Sequence, residues 1–246
     1  MQSTIDAAEV AQFARQAALW WDETGPFKPL HAINYVRLDY IAHQISQYFG
    51  REMTAGGNWM QGLEVLDIGC GGGLMCEPLA RLGAQVRGID AAPENIGTAS
   101  HHAEQSGVAI DYAVSTAEAQ AQAGKQYDIV LALEIVEHVA DVEVFLAACA
   151  ACVKPGGLLV VSTINRTLKS LALAKIGAEY ILRWVPRGTH DWRKFLRPSE
   201  VEAPLRRAGL SMCNLTGMIY HPIRGQWGIA PQDTDINYLM VLEKPA

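Results

Sequence analysis

The strongest constraint on the fold is a short apolar segment that runs directly into a glycine-rich loop. Residues 64–69 read Glu-Val-Leu-Asp-Ile-Gly, and four of the five residues from Gly69 to Gly73 are glycine. An apolar run of this length predicts a buried strand, and a loop without side chains lets a ligand approach the backbone. We expect a helix over 73–82, with its first N–H groups facing the loop. This strand, loop and helix predict a ligand site of the nucleotide type.

The rest of the chain alternates apolar strands with helical segments. Strands are expected at 85–90, 109–115, 127–133, 158–163, 210–220 and 235–243. Helices are expected at 5–22, 31–49, 141–153 and 198–208 and after Pro93, with a turn at 154–157. Strands that are apolar on both faces and separated by helices predict a parallel sheet covered by crossover helices. The sequence therefore predicts an α/β fold.

Composition narrows the class of protein. The chain has 246 residues and is 50% hydrophobic, which is enough for a full core and excludes a disordered protein. It contains no apolar run of about 18 residues and no apolar N-terminal region, so we expect neither a membrane span nor a signal peptide. Its five cysteines are an odd number, which favours reduced thiols in the cytoplasm. A net charge of −6 argues against nucleic acid as a partner.

An acidic residue at the end of the second predicted strand supports the ligand site. Asp90 lies 21 residues after Gly69, where a carboxylate can accept both hydroxyls of a ribose. The dinucleotide pattern G-x-G-x-x-G fails, because Leu74 stands where its third glycine would be. An ordinary tight strand–helix turn is the alternative. The loop, the sheet and Asp90 together favour a nucleoside-type cofactor.

These segments resemble the class I S-adenosylmethionine-dependent methyltransferases. Residues 65–73 and 86–90 are similar to the first two motifs of that family, and 127–130 and 153–158 to its later strand motifs. The resemblance implies a Rossmann-like fold with a mostly parallel seven-stranded sheet and S-adenosylmethionine as methyl donor. It also implies that the cofactor is bound by Asp67, Gly69, Gly71, Gly73, Asp90, Ala91, Ala117 and Leu133. Asp90 would hold the ribose, Ala91 and Ala117 the adenine, and Leu133 would lie beside the sulfonium.

A narrower resemblance, to the ubiquinone-biosynthesis O-methyltransferases, covers most of the chain. It rests on residues 20–22, 27–34, 162–166, 177–183, 185–191 and 235–238. It implies methylation of catechol-type hydroxyls on polyprenylated ubiquinone precursors, namely 3-demethylubiquinol and 2-polyprenyl-6-hydroxyphenol. It also implies that Arg37 contributes to cofactor binding, where a guanidinium can pair with a carboxylate. We expect one methyltransferase domain, composed of an N-terminal helical cap (1–50), a cofactor-binding core (64–163), a helical insertion (164–197) and a C-terminal part of the sheet (198–246).

Candidate catalytic residues follow the fourth strand. A phenol has a pKa near 10, so its proton must be removed or displaced before the oxygen attacks a methyl carbon. His138 or Glu134 could act as a general base. If this segment is helical, Glu134, Glu137 and His138 share one side and could instead hold Mg²⁺ or another divalent cation. Mitochondrial members of the family are regarded as Mg²⁺-dependent, and both alternatives remain open.

The insertion is strongly basic. Residues 164–197 hold eight basic and two acidic residues, a net charge of +6, so the rest of the chain carries −12. Residues 166–185 have the pattern of a helix with an apolar face flanked by cations, which suits an anionic membrane surface. A lid over the active site is the alternative. We expect a cytoplasmic enzyme on the inner face of the membrane, with other ubiquinone-biosynthesis enzymes as further candidate partners.

Three other functions compete with this interpretation. A nicotinamide-dependent oxidoreductase would use a similar sheet, but Leu74 disfavours it. An O-methyltransferase of another small phenolic substrate would keep the same cofactor site. A non-catalytic, membrane-associated binding protein would need a degenerate site, against which the intact Asp67–Gly73 loop and Asp90 argue.

Overall fold

A computed structural model describes residues 4–54, 56–172, 192–221 and 225–246. The strands are β1 (Glu64–Ile68), β2 (Gln85–Asp90), β3 (Asp111–Val114), β4 (Tyr127–Leu133), β5 (Val153–Ile164), β6 (Ser211–His221), β7 (Gln226–Ala230) and β8 (Asn237–Glu243). The helices are α1 (Ala7–Ala14), α2 (Lys28–Phe49), α3 (Cys76–Arg81), α4 (Pro93–Gln105), α5 (Ala117–Gln122), α6 (Val142–Ala151), the single turn α7 (Leu168–Ser170) and α8 (Pro198–Arg207). No helix of this described part is long and apolar enough to cross a membrane.

The eight strands form one sheet in the order β3-β2-β1-β4-β5-β8-β6-β7. The first five strands pair in parallel, and β8, β6 and β7 extend the sheet with antiparallel pairings. The strand order reverses between β1 and β4, because β1 leads to β2 on one side while β4 leads to β5 on the other. A crevice opens at such a switch point, outside the carboxyl ends of the two strands.

Both faces of the sheet are buried, as its apolar strands predict. On β5, Leu159 and Val161 belong to a core formed with α6 and α8, whereas Leu158 and Val160 belong to a core formed with α2 and α3. Alternate residues of a strand point to opposite faces. A strand that is apolar at every position therefore requires helices on both sides, and the sequence supplies them.

The α/β fold class is confirmed, but several boundaries differ from the prediction. The sheet has eight strands rather than seven, because β7 was not predicted. The helix predicted at 5–22 ends at Ala14 and continues as a 3₁₀ turn at Ala17–Leu19. The helix predicted at 73–82 begins only at Cys76, since the glycine loop continues as turns. The predicted turn at 154–157 lies within β5, where the pairing with β4 is irregular.

Most of the basic insertion lies outside the described residues. The helix predicted at 166–185 is described only up to residue 172, where α7 forms one turn. Residues 192–194 form a 3₁₀ turn, and α8 follows as expected despite Pro204. The division of the chain into cap, core, insertion and C-terminal part stays a prediction.

Candidate active site

A cavity of about 800 Å³ lies at the switch point of the sheet. Gly69 and Gly71 of the glycine loop, Asp90 at the end of β2 and the segment after β4 line it, whereas the predicted Gly73 does not and packs against Tyr112 instead. Residues of the N-terminal segment, including Glu9, Phe13 and Trp20, line the same cavity. The topology therefore brings the predicted ligand-binding residues other than Gly73 together, and the N-terminal segment forms part of their enclosure.

The glycine loop depends on the absence of side chains. Gly69, Gly71 and Gly73 have φ values of +71°, +54° and +85°, a region that L-residues rarely adopt. A Cβ atom at Gly71 would lie 2.5 Å from the ring of Trp20, and one at Gly69 would lie 2.2 Å from Ile135. The loop is thus shaped by its own backbone and by the side chains packed against it.

Replacing Gly71 with alanine is expected to lower the free energy of unfolding by more than about 2 kcal/mol, because left-handed strain adds to a clash with Trp20. Gly50→Ala is a matched control, since Gly50 has φ +61° with nothing within 4 Å of its Cβ position. That control should cost only about 1 kcal/mol. Urea denaturation measures both values, and equal losses would show that the contact with Trp20 does not constrain the loop.

Asp90 is held by three donors. Its Oδ2 accepts a hydrogen bond from the Gly71 N–H (3.0 Å), and its Oδ1 accepts from the Ala92 N–H (2.8 Å) and from Asn95 Nδ2 (3.2 Å). Burial raises the pKa of Asp90, and these hydrogen bonds act in the opposite direction. The carboxylate is therefore fixed at the cavity wall where the sequence places a ribose.

Asp67 lies deeper, at the base of the loop. Burial, together with the charge of Asp90, raises its pKa to about 7, although a hydrogen bond from the Cys76 thiol (3.2 Å) lowers it. Ala91, Ala117 and Leu133 also line the cavity. Ala91 follows β2, Ala117 begins α5 after β3, and Leu133 ends β4, so all three lie near the carboxyl ends of strands.

Arg37 and Glu134 form a partly buried ion pair. Arg37 Nη2 donates to Glu134 Oε1 (2.9 Å) and its Nη1 to Asn34 Oδ1 (2.8 Å), while its buried Nε has no partner among the described residues. An unsatisfied buried donor is costly, and a carboxylate ligand would satisfy it. The Ser162 hydroxyl also donates to Glu134 (2.7 Å). These bonds hold Glu134 at φ +52°, a strained conformation for a residue with a side chain.

His138 faces the cavity from a 3₁₀ turn, Val136–His138. Its Nδ1 lies 3.0 Å from Glu9 Oε2, and the ring of Phe13 packs edge-on against it. Burial raises the pKa of Glu9, but hydrogen bonds from Lys194 and His138 lower it overall, so Glu9 is ionised and can only accept. Nδ1 therefore carries the proton, and Nε2 is the acceptor of the ring. Burial lowers the pKa of His138, which keeps the ring neutral.

The predicted divalent-cation site at Glu134, Glu137 and His138 is not supported by this geometry. No group of three or more His, Cys, Asp or Glu side chains within the described ranges is arranged to hold a metal ion. The prediction needed a helix, but Glu134 has a left-handed φ and only Val136–His138 forms a 3₁₀ turn. Glu134 and His138 are already bonded to Arg37 and Glu9. Burial and the charge of Glu134 raise the pKa of Glu137, which favours the neutral carboxyl over the ionised form that a cation would need.

Sequence reasoning missed several residues of the site. Glu9 and Phe13 of α1 contact His138, and the Trp20 indole donates to Asn95 Oδ1 (2.9 Å). Ser162 holds Glu134. Nothing in the local pattern around Glu9 marks it, whereas the aromatic pair at residues 20–21 was visible as a motif without an assigned role.

Comparison with known proteins gives consistent results. A family model described as a methyltransferase domain matches residues 15–215. A ubiquinone biosynthesis O-methyltransferase from Sinorhizobium medicae is 51% identical over 99% of this chain and 98% of its own length. The protein of the same description from Brucella anthropi is 53% identical over 100% of this chain and 98% of its own length.

Solved structures share the fold at low sequence identity. A S-adenosylmethionine-dependent methyltransferase from Thermotoga maritima, described as a possible histamine N-methyltransferase, has a TM-score of 0.65 and 15% identity, over 96% of this chain and 99% of its own. Magnesium protoporphyrin IX methyltransferase from Synechocystis, solved with bound S-adenosylhomocysteine, has a TM-score of 0.58 and 21% identity, over 84% of this chain and 81% of its own. These similarities confirm the fold class.

Proposed function

The chain belongs to the ubiquinone biosynthesis O-methyltransferases, and from this premise we propose that its cavity transfers a methyl group to a catechol-type hydroxyl of a polyprenylated ubiquinone precursor. The observation that carries the proposal is that the glycine loop, Asp90 and His138 line one cavity. A cofactor bound at the glycine loop and a substrate bound beside His138 would therefore share the same space. The two precursors are 3-demethylubiquinol and 2-polyprenyl-6-hydroxyphenol.

The residues at one end of the cavity fit S-adenosylmethionine. When bound, this molecule supplies an electrophilic methyl group on a sulfonium. Asp90 would accept the ribose hydroxyls, Ala91 and Ala117 would flank the adenine, and the unpartnered Nε of Arg37 would donate to the carboxylate. The glycine loop, with Asp67 at its base, would lie along the methionine portion. Glu134 and Ser162 would act by holding Arg37 and the segment after β4.

His138 is the candidate general base. Glu9 accepts a hydrogen bond from Nδ1–H, which leaves Nε2 unprotonated and able to take the proton of the substrate hydroxyl. Removing that proton matters because a phenol is almost fully protonated near neutral pH. Glu9 orients the ring and stabilises its protonated form, and Lys194 Nζ, 2.6 Å from Glu9 Oε1, fixes Glu9 in turn. We assign no step to a divalent cation.

The same cavity has apolar side chains in its lining that would contact a prenylated ring. They include Leu30 and Ile33 of α2, Ile219 of β6, Trp227 of β7 and Ile236. Burial of hydrocarbon in such a space is favourable by about 25 cal/mol per Å². This composition favours a polyprenylated substrate over a small phenolic one.

Contact with an anionic membrane surface through 164–197 remains part of the proposal. The net charge of +6 in that segment supports it, because a basic residue near an anionic surface contributes about 1 kcal/mol. Three of its eight basic residues, Arg166, Lys169 and Lys194, are paired with acidic residues of this chain. Residues 173–191 lie outside the described part of the chain. Peripheral attachment at the cytoplasmic face and contacts with other enzymes of ubiquinone biosynthesis stay predictions.

A methyl-transfer assay tests the proposed function. With methyl-labelled S-adenosylmethionine, the enzyme should convert polyprenyl catechols to monomethyl ethers, and kcat/KM should rise as the tail lengthens from none to several isoprene units. The dimethyl ethers of the same catechols serve as the control. They have no free hydroxyl and should accept no label. Equal kcat/KM with and without a tail would favour another small phenolic substrate, and no labelled product from any catechol would refute the proposal.

A further inference from the structure

A chain of buried hydrogen bonds connects the N-terminal segment to Asp90. Trp20 Nε1 donates to Asn95 Oδ1 over 2.9 Å, and Asn95 Nδ2 donates to Asp90 Oδ1 over 3.2 Å. Trp20 and Asn95 are 8% and 1% exposed. The indole can only donate and an ionised carboxylate can only accept, so the orientation of the Asn95 amide between them is determined.

Trp20 is itself held firmly. Its ring stacks on Phe27 with centroids 3.9 Å apart and planes 6° apart, and its carbonyl oxygen lies 2.8 Å from His31 Nε2. The same ring covers Gly71, whose N–H donates to the other oxygen of Asp90. Trp20 thus influences the position of Asp90 in two ways. It orients the Asn95 amide that donates to Asp90, and it packs on Gly71, whose N–H also donates to Asp90.

We propose that Asn95 and Trp20 are positioning residues for ribose recognition by Asp90. The proposal rests on the proposed function only in taking Asp90 as the acceptor of the ribose hydroxyls. Oδ1 of Asp90 receives bonds from Asn95 and Ala92, which fix the plane of the carboxylate before a ligand arrives. A carboxylate held in place loses less conformational freedom on binding, so affinity for ribose rises. Because Trp20 precedes the sheet by more than forty residues, cofactor affinity depends on correct docking of the N-terminal segment.

The test compares two ligands that differ at the ribose. Dissociation constants are measured by calorimetry for S-adenosylhomocysteine and for its 2′-deoxy analogue, which lacks one hydroxyl. Asn95→Leu, which keeps the branching of the side chain and removes its polar atoms, should weaken S-adenosylhomocysteine about tenfold, as expected for a hydrogen bond to a charged group. The 2′-deoxy analogue keeps one of the two hydroxyls that Asp90 would accept, so it should weaken only about threefold. The preference for the 2′-hydroxyl should therefore fall about threefold.

A second variant changes Trp20 and keeps part of its packing. Trp20→Phe retains an aromatic ring beside Gly72 and against Phe27, but it removes the indole N–H and the part of the ring that covers Gly71. It should weaken S-adenosylhomocysteine about threefold and the 2′-deoxy analogue less. Trp59→Phe is the matched control, since Trp59 is buried and does not line the cavity; it should change neither ligand.

The outcomes separate the possible explanations. Equal weakening of both ligands would indicate a merely structural role and overturn the inference, as would unchanged affinities in both variants. If the wild-type protein binds S-adenosylhomocysteine but its variants keep the full ribose preference, only this inference fails. If the wild type does not bind S-adenosylhomocysteine at all, the proposed function fails with it.

Discussion

Replacing His138 with glutamine is expected to lower kcat by about 10²–10⁴-fold, the usual contribution of a general base. Glutamine can still donate to Glu9 but has no basic nitrogen, so the substrate hydroxyl keeps its proton. Affinity for S-adenosylhomocysteine should not change, because His138 lies at the segment after β4 rather than on the glycine loop. Steady-state kinetics with a polyprenyl catechol give kcat and KM separately.

The pH profile provides a second test of His138. The neutral ring is the active form, so kcat/KM of the wild type should fall as pH decreases through the pKa of His138. Burial lowers that pKa, which places the fall below the ordinary value of 6.5. The variant should lack this acidic limb. His43→Gln makes the same chemical change at a half-exposed residue of α2 and should leave both kcat and the profile intact. A His138 variant with wild-type kcat would exclude it as the base.

Replacing Asp90 with alanine is expected to raise the dissociation constant of S-adenosylhomocysteine by about 100-fold. Two hydroxyls that donate to one carboxylate contribute about 3 kcal/mol together, and about 1.4 kcal/mol corresponds to a factor of ten. The change also removes the acceptor of the Gly71 and Ala92 N–H groups, which loosens the loop. Calorimetric titration measures the affinity.

Asp111→Ala is the matched control for Asp90. Asp111 begins β3, is exposed and pairs with Arg87 away from the cavity, so its replacement should leave affinity unchanged. Circular dichroism and a thermal melt establish that both variants are folded. Unaltered affinity in folded Asp90→Ala would mean that the ribose is recognised elsewhere.

The parts of the fold that sequence could predict are those with a local pattern. The apolar strands around β1, β4 and β5 follow from runs of residues that suit burial on both faces. The glycine loop and Asp90 could also be predicted from local sequence. The loop follows β1 and Asp90 ends β2, and the carboxyl ends of parallel strands lie at the same edge of the sheet. Helix α4 begins at Pro93 as expected, since proline suits the first helical position.

The parts that were missed depend on distant residues. Glu134 was expected in a helix, but bonds from Arg37 and Ser162 hold it in a left-handed conformation that no local pattern indicates. Strand β7 contains Gly228 and Ala230 among its five residues, and within the described part of the chain it pairs with β6 alone. Glu9 reaches His138 across 129 residues. Tertiary packing overrides local preference at each of these positions.

Titration of the wild-type protein with S-adenosylhomocysteine and, separately, with NADH tests the central claim most directly. A methyltransferase site of this geometry should bind one S-adenosylhomocysteine per chain at micromolar concentration and give no saturable heat with NADH. Saturable binding of NADH without binding of S-adenosylhomocysteine would contradict the assignment and would indicate that the glycine loop serves a nicotinamide cofactor.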